Sequence, residues 1–199
     1  MGGGDGSVSG GDRGASIAPF RFTRLEIPDV VVVERSTFSD DRGFFAETYR
    51  AAAFASFGLP QAFRQDAHSR SGQGVLRGLH YQRSPMAQGK FVWVATGRIL
   101  DVAVDLRRSA ATFGRWVSLE LAADNRLGLY IPPGFAHGFY TLSDLADVMY
   151  KLTQEYSPSH EGGIVWNDPD VGIAWPVTHP TVSARDAAFP RLRDADPAF

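Results

Sequence analysis

The chain contains no cysteine, carries almost no net charge, and has no long uninterrupted apolar segment. With no cysteine among its 199 residues, it can form neither a disulfide nor a thiolate nucleophile, which fits a cytoplasmic location. Its formal net charge of −2 provides no bulk basic field for nucleic acids or acidic membranes. No apolar run approaches the roughly 20 residues of a membrane span, and the N-terminus has no apolar signal core. We therefore expect a cytoplasmic protein without nucleic-acid or membrane partners.

Three widespread catalytic and nucleotide-binding motifs are also missing from the sequence. There is no Gly-x-Ser-x-Gly turn, which disfavours a serine hydrolase. There is neither a Walker phosphate loop nor a Gly-x-Gly-x-x-Gly dinucleotide turn. The candidate chemistry therefore rests on histidines and on the polar side chains near them.

The N-terminal segment differs in composition from the rest of the chain. Gly, Ser and Asp dominate Met1 to Ser16, and such a segment buries too little apolar surface to offset its ordering entropy. We predict a flexible tail over residues 1–18 and a single domain over residues 19–199. The absence of a later Ser/Gly/Pro linker favours one domain, and the chain is long enough to bury a sizeable core.

Alternation of apolar and polar residues with a period of two predicts an all-β fold. Short strands with Gly and Pro turns are typical of a sandwich or barrel. A helix is predicted at Tyr49 to Phe57, with Gly58 as its stop, and a second short helix after Ser183. Gly97 is predicted to form a hairpin turn after the strand at 90–96. The other predicted strands are 30–34, 100–106, 116–121, 127–131 and 148–152.

Two glycine-punctuated segments, Gly74 to Gln82 and Ile131 to Phe139, each carry one histidine. Their spacings, Gly-x5-His and Pro-x-Gly-x2-His, are those of the two halves of a cupin-type β-barrel. A metal-binding cupin has a second histidine where this chain has Gln82, and no acidic residue follows before Asp101. A metal site from His68, His80 and His137 is therefore disfavoured, since the carboxylate or second histidine of a usual ligand set is absent. The pattern indicates acid–base chemistry by His80.

Several polar residues allow both a functional and a structural interpretation. Arg77 lies in an apolar strand three residues before His80, where a buried anionic partner is expected; most arginines are simply solvated. Lys90 is either an exposed strand-end lysine or a cation pointing into the same cavity as His80. Asp101 either faces solvent or orients an interior histidine. Tyr150, judged from spacing alone, is a core tyrosine with a surface hydroxyl.

With these residues in view, the chain resembles the dTDP-4-dehydrorhamnose 3,5-epimerase family of nucleotide-sugar epimerases from about Phe20 to Pro190. The resemblance implies a jelly-roll barrel with a few short flanking helices, working as a homodimer without metal or diffusible cofactor. The motifs that carry it are 41–47 (DRGFFAE), 65–69 (QDAHS), 74–82, 87–90 (AQGK), 101–107, 133–139, Tyr150-Lys151, 161–164 (EGGI) and 166–169 (WNDP).

The resemblance also implies a role for individual residues. It makes His80 the general base, Asp186 its orienting carboxylate, Tyr150 the acid on the opposite sugar face, and Lys90 the stabiliser of charge on the 4-keto oxygen. The positions that match those holding the nucleotide diphosphate and sugar are Arg42, Glu47, Gln65, Arg77, His137 and Glu161. This chain departs from the family at Ala67, commonly Asn, and at Arg185, commonly Lys.

The leading prediction is an isomerase that inverts C3 and/or C5 of a dTDP-4-keto-6-deoxyhexose in deoxysugar biosynthesis. The departures at Ala67 and Arg185 leave C3-only and C5-only epimerisation open. A 3,4-ketoisomerase of the same substrates is disfavoured because Lys90 and Tyr150 are retained. A non-catalytic barrel that binds a nucleotide sugar is disfavoured because it has no need of His80, Asp186, Lys90 and Tyr150 together.

Overall fold

The computed structural model describes residues 14–197 and residue 199. Residues 1–13 of the predicted tail lie outside the described part of the chain. Within the predicted tail, Gly14–Ile17 forms a strand that pairs antiparallel with Phe20–Arg24. The prediction that the tail extends to residue 18 is therefore wrong for residues 14–17. Backbone hydrogen bonds to a neighbouring strand order this segment although its side chains bury little apolar surface.

The described residues form fourteen strands and two short helices. The strands are β1 Gly14–Ile17, β2 Phe20–Arg24, β3 Val31–Arg35, β4 Thr37–Asp40, β5 Gly43–Ala46, β6 Gln65–Gly72, β7 Leu76–Gln82, β8 Lys90–Thr96, β9 Arg98–Asp105, β10 Trp116–Ala122, β11 Leu127–Ile131, β12 Phe135–Thr141, β13 Leu145–Leu152 and β14 Glu161–Gly163. The helices are α1 Ala51–Ser56 and α2 Ala184–Ala187.

The strands form two large antiparallel sheets and one small hairpin. The seven-stranded sheet has the order β1-β2-β3-β11-β8-β13-β6, and the five-stranded sheet has the order β10-β9-β12-β7-β14. The remaining pair, β4 and β5, forms the hairpin. Neighbours in the large sheets are mostly distant in sequence, as expected when the chain crosses repeatedly between two sheets. This confirms the predicted all-β jelly-roll barrel with short flanking helices.

The core lies between the two large sheets. Val92, Val94 and Val148 of the seven-stranded sheet pack with Ala103 and Phe139 of the five-stranded sheet. A second, largely aromatic cluster covers the outer face of the seven-stranded sheet, where Phe54 of α1 packs edge-on against Phe20, Phe22 and Phe91. Strands β8 and β13 are thus covered on both faces, which holds their inward-facing side chains in place.

The predicted hairpin at Gly97 is wrong. Strand β8 belongs to the seven-stranded sheet and pairs with β11 and β13, whereas β9 belongs to the five-stranded sheet and pairs with β10 and β12. Gly97, with a φ of 77°, carries the chain from one sheet to the other. A Cβ there would lie 1.9 Å from the carbonyl oxygen of Leu145, so the turn requires glycine.

Both helices lie where the sequence predicts them, and they are short. Helix α1 occupies six residues of the predicted segment and is followed by Gly58 with a φ of 78°. Helix α2 begins after Ser183, whose hydroxyl accepts a hydrogen bond from the Asp186 amide at 3.0 Å. Among the residues that the structure describes, no helix is long and apolar enough to cross a bilayer.

Strand β7 contains one extra residue where it pairs with β12. His80 pairs with His137 and Arg77 pairs with Phe139, so three steps along β7 match two along β12. This β-bulge changes which residues share a face. In a regular strand, residues three apart point to opposite faces. Because of the bulge, Arg77 and His80 line the same cavity.

The bulge requires close contact between two glycines. A Cβ on Gly78 would lie 2.6 Å from the Cα of Gly138, and a Cβ on Gly138 would lie 2.7 Å from the carbonyl oxygen of Arg77. Gly78 also has a φ of 135°, which residues with a side chain rarely adopt. Glycine at both positions therefore allows β7 and β12 to approach across the bulge.

We predict that Gly138→Ala destabilises the fold by about 1–3 kcal/mol, because the new methyl group would lie 2.7 Å from the carbonyl oxygen of Arg77 and 2.9 Å from Cδ2 of the buried Leu79. Gly72→Ala is the matched control: its nearest neighbour, the carbonyl oxygen of Asp144, would lie at 3.8 Å, an ordinary contact. Urea unfolding of the two variants and the parent measures the difference. Equal unfolding midpoints for Gly138→Ala and Gly72→Ala would contradict the close approach described here.

Candidate active site

A cavity of about 280 Å³ lies between the two large sheets. Strands β7 and β12 of the five-stranded sheet form one wall, and β6, β8 and β13 of the seven-stranded sheet form the other. The cavity brings together nine residues named from the sequence that come from these strands and from β14: Ala67, His68, Arg77, His80, Gln82, Lys90, His137, Tyr150 and Glu161. It is therefore the candidate site for acid–base chemistry.

His80 and Asp186 form a hydrogen-bonded pair beside this cavity. Nε2 of His80 lies 2.9 Å from Oδ1 of Asp186, and the amide N–H of Gly78 donates to Oδ2 at 3.1 Å. The helix cap at Ser183 fixes the position of Asp186 from the other side. The carboxylate is thus held by the bulge of β7 and by α2, and only 4% of its side chain is exposed.

The Asp186 carboxyl stays ionised despite its burial. Burial alone would raise its pKa, but the hydrogen bond with His80, the charge of His80, and the bonds with Gly78 and Ser183 together hold the pKa well below its usual range. An ionised carboxylate accepts hydrogen bonds and cannot donate one. The proton of a neutral His80 ring therefore sits on Nε2, which leaves the lone pair of Nδ1 available as a base.

Lys90 provides a positive charge in the same cavity. Its Nζ donates to the carbonyl oxygen of His80 at 3.2 Å. Burial lowers the pKa of Lys90 to about 8, although the negative charges of Asp101 and Glu161 partly counteract it. Lys90 is therefore largely an ammonium at pH 7, and it has lost much of the hydration that would weaken its attraction to an anion.

Asp101 orients His137 and lies close to Lys90. Nε2 of His137 lies 2.8 Å from Oδ2 of Asp101, and both side chains are buried. Burial lowers the pKa of His137, against the opposing effect of Asp101, so its ring is held neutral. Oδ1 of Asp101 has no hydrogen-bond partner among the described residues, and the charge of this carboxylate favours the charged form of Lys90. Of the two interpretations from sequence, the structure supports the interior one.

Tyr150 lies on the wall opposite His80. It is on β13 of the seven-stranded sheet, and its hydroxyl is 2.9 Å from the hydroxyl of Ser69 on the neighbouring strand β6. Burial raises the pKa of Tyr150, and the bond with Ser69 only partly opposes this. The phenol therefore keeps its proton and can serve as a proton donor. The interpretation of Tyr150 as a core residue with a surface hydroxyl is wrong, since the hydroxyl points inward.

Two arginines flank a recess that adjoins the cavity. Arg77 donates to the hydroxyl of Ser71 at 2.9 Å and to the carbonyl oxygen of Arg70 at 3.2 Å. These hydrogen bonds go to neutral oxygens and the residue is exposed, so within the described chain Arg77 has no anionic partner, and the expected partner stays a prediction. Arg185 pairs with Glu161 at 3.0 Å and with Asp186 at 3.4 Å. Arg77, His80, Arg185 and Asp186 all line the recess.

Three residues predicted to contact the substrate lie outside the cavity of the described chain. Arg42 is exposed in the turn between β4 and β5 and pairs with Asp40. Glu47 pairs with Arg50, which precedes α1. Gln65 begins β6 and accepts a hydrogen bond from the amide of Tyr156 at 2.7 Å.

The third histidine named from the sequence has its side chain on the other face of the seven-stranded sheet. On β6, Ala67 and Ser69 face the cavity, so alternation directs His68 outward, where Nε2 meets Oδ1 of Asp147 at 2.8 Å. All three histidines border the cavity, but the ring of His68 pairs with Asp147 rather than with His80 or His137. Within residues 14–197 and 199, no group of three His, Asp or Glu side chains is arranged to hold a metal ion.

Several residues of the cavity wall had no role assigned from the sequence, and three of them are polar residues of the loops and of β6: Ser69, Gln88 and Tyr156. Ser69 could have been found, because it follows Ala67 by two positions on an alternating strand and must share its face. Gln88 and Tyr156 lie in irregular loops, 83–89 and 153–160. No periodicity in the sequence indicates where such loop residues point.

The fold and the site together define a jelly-roll barrel with a hydrogen-bonded histidine–aspartate pair and a tyrosine hydroxyl on opposite walls of one cavity. The sequence model of the dTDP-4-dehydrorhamnose 3,5-epimerase family matches residues 24–194. The chain is 52% identical over 174 residues to the dTDP-4-dehydrorhamnose 3,5-epimerase of Salmonella typhimurium, covering 86% of this chain and 95% of that protein. The chain belongs to the dTDP-4-dehydrorhamnose 3,5-epimerase family, whose members are isomerases.

Solved structures of related epimerases have the same fold. The dTDP-6-deoxy-D-glucose-3,5-epimerase RmlC of Legionella pneumophila, in complex with dTDP-4-keto-L-rhamnose, superposes with a TM-score of 0.86 at 41% identity, covering 90% of this chain and 98% of that one. ChmJ of Streptomyces bikiniensis, a 3'-monoepimerase in complex with dTDP-quinovose, superposes with a TM-score of 0.81 at 35% identity, covering 85% and 87%. Similarity thus extends to enzymes of more than one regiochemistry.

We predict that Lys90 titrates with a midpoint at pH about 8, charged below it and neutral above it. The chain has two lysines, Lys90 and Lys151, so ¹³C-labelled lysine gives two Cε signals, which Lys90→Met assigns. Asp101→Asn should move the Lys90 midpoint to lower pH, because it removes a neighbouring negative charge. A midpoint for Lys90 near the ordinary value of about 10.4, unchanged in Asp101→Asn, would contradict the buried environment described here.

Proposed function

We propose that the chain inverts C3 and/or C5 of a dTDP-linked 4-keto-6-deoxyhexose by removing a proton from one face of the sugar and returning one to the other. One observation carries the proposal: His80 and Tyr150 come from opposite sheets and face the same cavity. A ring placed between the sheets has the base on one side and the acid on the other, which inversion of a carbon requires.

The first step is abstraction of the proton on the carbon next to the ketone. This proton is acidic because the electron pair of the broken C–H bond delocalises onto the C4 oxygen. Nδ1 of His80 takes the proton, and the Asp186 carboxylate stabilises the imidazolium that forms. The hydrogen bond from Gly78 keeps Asp186 from turning away as the charge develops.

Lys90 stabilises the enolate produced in this step. The ammonium carries its charge in a buried site, where its attraction to a developing oxyanion is stronger than in water. Because the negative charge on the C4 oxygen forms only as the proton leaves, this interaction favours the transition state over the bound ketone. His137, held neutral by burial, adds an uncharged polar group to the same cavity.

Tyr150 completes the inversion. Its hydroxyl donates a proton to the opposite face of the carbanion, and the electron pair returns from oxygen to form the new C–H bond. The His80 imidazolium then loses its proton to solvent and the phenolate recovers one from solvent, which restores both groups. A buried phenol with a raised pKa remains protonated throughout the physiological range, so it is ready to donate. Ser69 holds the hydroxyl in a fixed direction.

The nucleotide diphosphate is assigned to the side of the cavity with the two arginines. Arg77 and Arg185 both line the recess next to His80 and carry guanidinium groups suited to phosphate oxygens. The sugar would then occupy the neighbouring cavity, within reach of His80, Lys90 and Tyr150. When the diphosphate binds, its charged oxygens would accept the hydrogen bonds that Arg77 otherwise donates to the neutral oxygens of Ser71 and Arg70.

The proposal includes a homodimer. The hairpin of β4 and β5 exposes Phe38, Phe44 and Phe45, each with more than half of its surface accessible. Arg42 and Glu47 lie in or directly after this hairpin, away from the cavity of their own chain. A second copy that covers these aromatic side chains would bring Arg42 and Glu47 to the substrate. Light scattering tests this proposal: a dimer is expected, and a monomer at working concentration would contradict it.

Ala67 leaves the regiochemistry open between C3, C5 and both. Ala67 lies opposite Tyr150 in the register of β6 and β13, so the Asn that is common in the family would stand beside the acid. One side-chain hydrogen bond is worth about 0.5–1.5 kcal/mol, enough to change a rate ratio roughly threefold to tenfold. The retained Lys90 and Tyr150 continue to disfavour a 3,4-ketoisomerase, and the complete acid–base set disfavours a binding barrel.

The proposal predicts different outcomes for His80→Asn and Tyr150→Phe in deuterated water. His80→Asn should abolish deuterium incorporation at every carbon that the parent enzyme inverts. Tyr150→Phe should still incorporate deuterium on the His80 face, while inversion falls by about 10²-fold or more, the size of a lost general acid. Proton NMR of the nucleotide sugar measures both quantities, separately for C3 and C5.

Two results would contradict these assignments. Near-normal deuterium incorporation by His80→Asn would show that His80 is not the base. Equal losses of exchange and inversion in Tyr150→Phe would make Tyr150 a substrate-positioning residue. Failure of the parent enzyme to exchange any proton of the 4-keto sugar would favour the non-catalytic binding barrel.

A further inference from the structure

Gln82 makes three hydrogen bonds that the proposed chemistry does not use. It is the last residue of β7, two positions after His80, and is 4% exposed. Its Nε2 donates to the carbonyl oxygens of Met86 at 2.7 Å and Glu155 at 3.1 Å, and its Oε1 accepts from the amide of Ser157 at 2.7 Å. This one side chain therefore joins the loop 83–89 to the loop 153–160.

Two other glutamines hold the same stretch of backbone. Gln88 donates to the carbonyl oxygen of Gln154 at 2.6 Å, and Gln65 accepts from the amide of Tyr156 at 2.7 Å. Together with the bonds of Gln82, these contacts reach every residue of the segment 154–157. We call Gln65, Gln82 and Gln88 the glutamine cradle.

The segment that the cradle holds forms part of the cavity wall. Tyr156 lines the cavity with half of its surface exposed, and its hydroxyl donates to Oε2 of Glu161 at 2.8 Å. The same oxygen of Glu161 accepts from Arg185 at 3.0 Å, so the wall continues to the arginine recess. Loops that lack regular strand pairing are usually the mobile parts of a fold, and ordering them on binding lowers affinity.

We infer that Gln82 is a positioning residue that preorganises the 154–157 wall for the nucleotide sugar, and that it does so without touching the reacting atoms. The identity of the substrate in this inference rests on the proposed function. The ordering of the 154–157 wall rests only on the hydrogen bonds of Gln82. It also gives a role to an amide at the position where a metal-binding barrel has a histidine. Both its donor and its acceptor atoms are engaged by backbone groups.

The principal test is Gln82→Met, which keeps the length of the side chain and removes its donors and acceptor. We expect the KM for the 4-keto nucleotide sugar to rise by about tenfold or more. In the variant, residues 154–157 would become ordered only on binding, and the free energy that this costs would weaken binding of the substrate. The kcat should stay within about threefold, since His80, Lys90 and Tyr150 are unchanged. Gln73→Met is the matched control: Gln73 is exposed and lies away from the cavity, and among the described residues its side chain donates only to the carbonyl oxygen of Leu142 at 3.4 Å.

Amide hydrogen exchange provides a second measurement that does not depend on activity. In Gln82→Met, the amides of residues 154–157 should exchange at least about tenfold faster than in the parent, whereas those of β8 and β9 should not change. If Gln82→Met does not fold, Gln82→Glu serves instead. Its carboxylate can still accept from Ser157 but cannot donate to Met86 and Glu155, so the same directions are expected.

The outcomes separate the inference from the proposed function. Parental KM together with parental exchange of residues 154–157 would overturn the inference. A loss of kcat with unchanged KM would also overturn it, because Gln82 would then act in the chemical step. A parent enzyme that is inactive on the 4-keto sugar would reject the proposed function, and loop exchange would still decide whether Gln82 holds the wall.

Discussion

The close contact between Gly78 and Gly138 is the constraint on which the arrangement of the site depends. It admits one extra residue into β7 opposite β12, and this bulge turns Arg77 and His80 toward the same cavity. It also directs the amide of Gly78 to the carboxylate of Asp186. One local departure from regular pairing thus orients the His80 ring, positions the Asp186 carboxylate, and places the Arg77 guanidinium beside both.

Burial sets the protonation of the ionisable groups in this cavity, and it shifts their pKa values in opposite directions. It lowers the pKa of Lys90 and raises that of Tyr150, because the interior disfavours the ammonium and the phenolate alike. It also keeps His137 neutral. Asp186 escapes this effect only because it receives hydrogen bonds from several sides. The two sheets therefore provide a proton donor and a proton acceptor on facing walls.

The fold and the central residues could be predicted from the sequence, whereas the loops and one sheet crossing could not. Alternation along the strands predicts which side chains share a face, and the spacing from Gly74 to His80 marks a barrel half. The pairing of His80 with Asp186 came only from family resemblance, because no local pattern joins residues 106 positions apart. Gly97 was assigned to a hairpin because a glycine between two strands looks the same whether the strands pair or separate into different sheets.

The polar network shows a further limit of sequence analysis. Gln82 was noted only as a missing metal ligand, since its partners are backbone atoms in two loops whose paths no periodicity predicts. Arg42 and Glu47 match family positions, yet they lie away from the cavity of their own chain. Their proposed role depends on a second copy, which the order of residues along one chain does not describe.

The central claim is that the bulge of β7 and the Asp186 carboxylate fix the His80 ring with its proton on Nε2 and a free Nδ1. Long-range ¹H–¹⁵N correlation of labelled histidine, with His80 assigned by His80→Asn, measures this tautomer directly. We expect the Nε2–H form of the neutral ring in the free enzyme, and a loss of that preference in Asp186→Ala. A neutral His80 protonated on Nδ1, or a tautomer unaffected by Asp186→Ala, would contradict it.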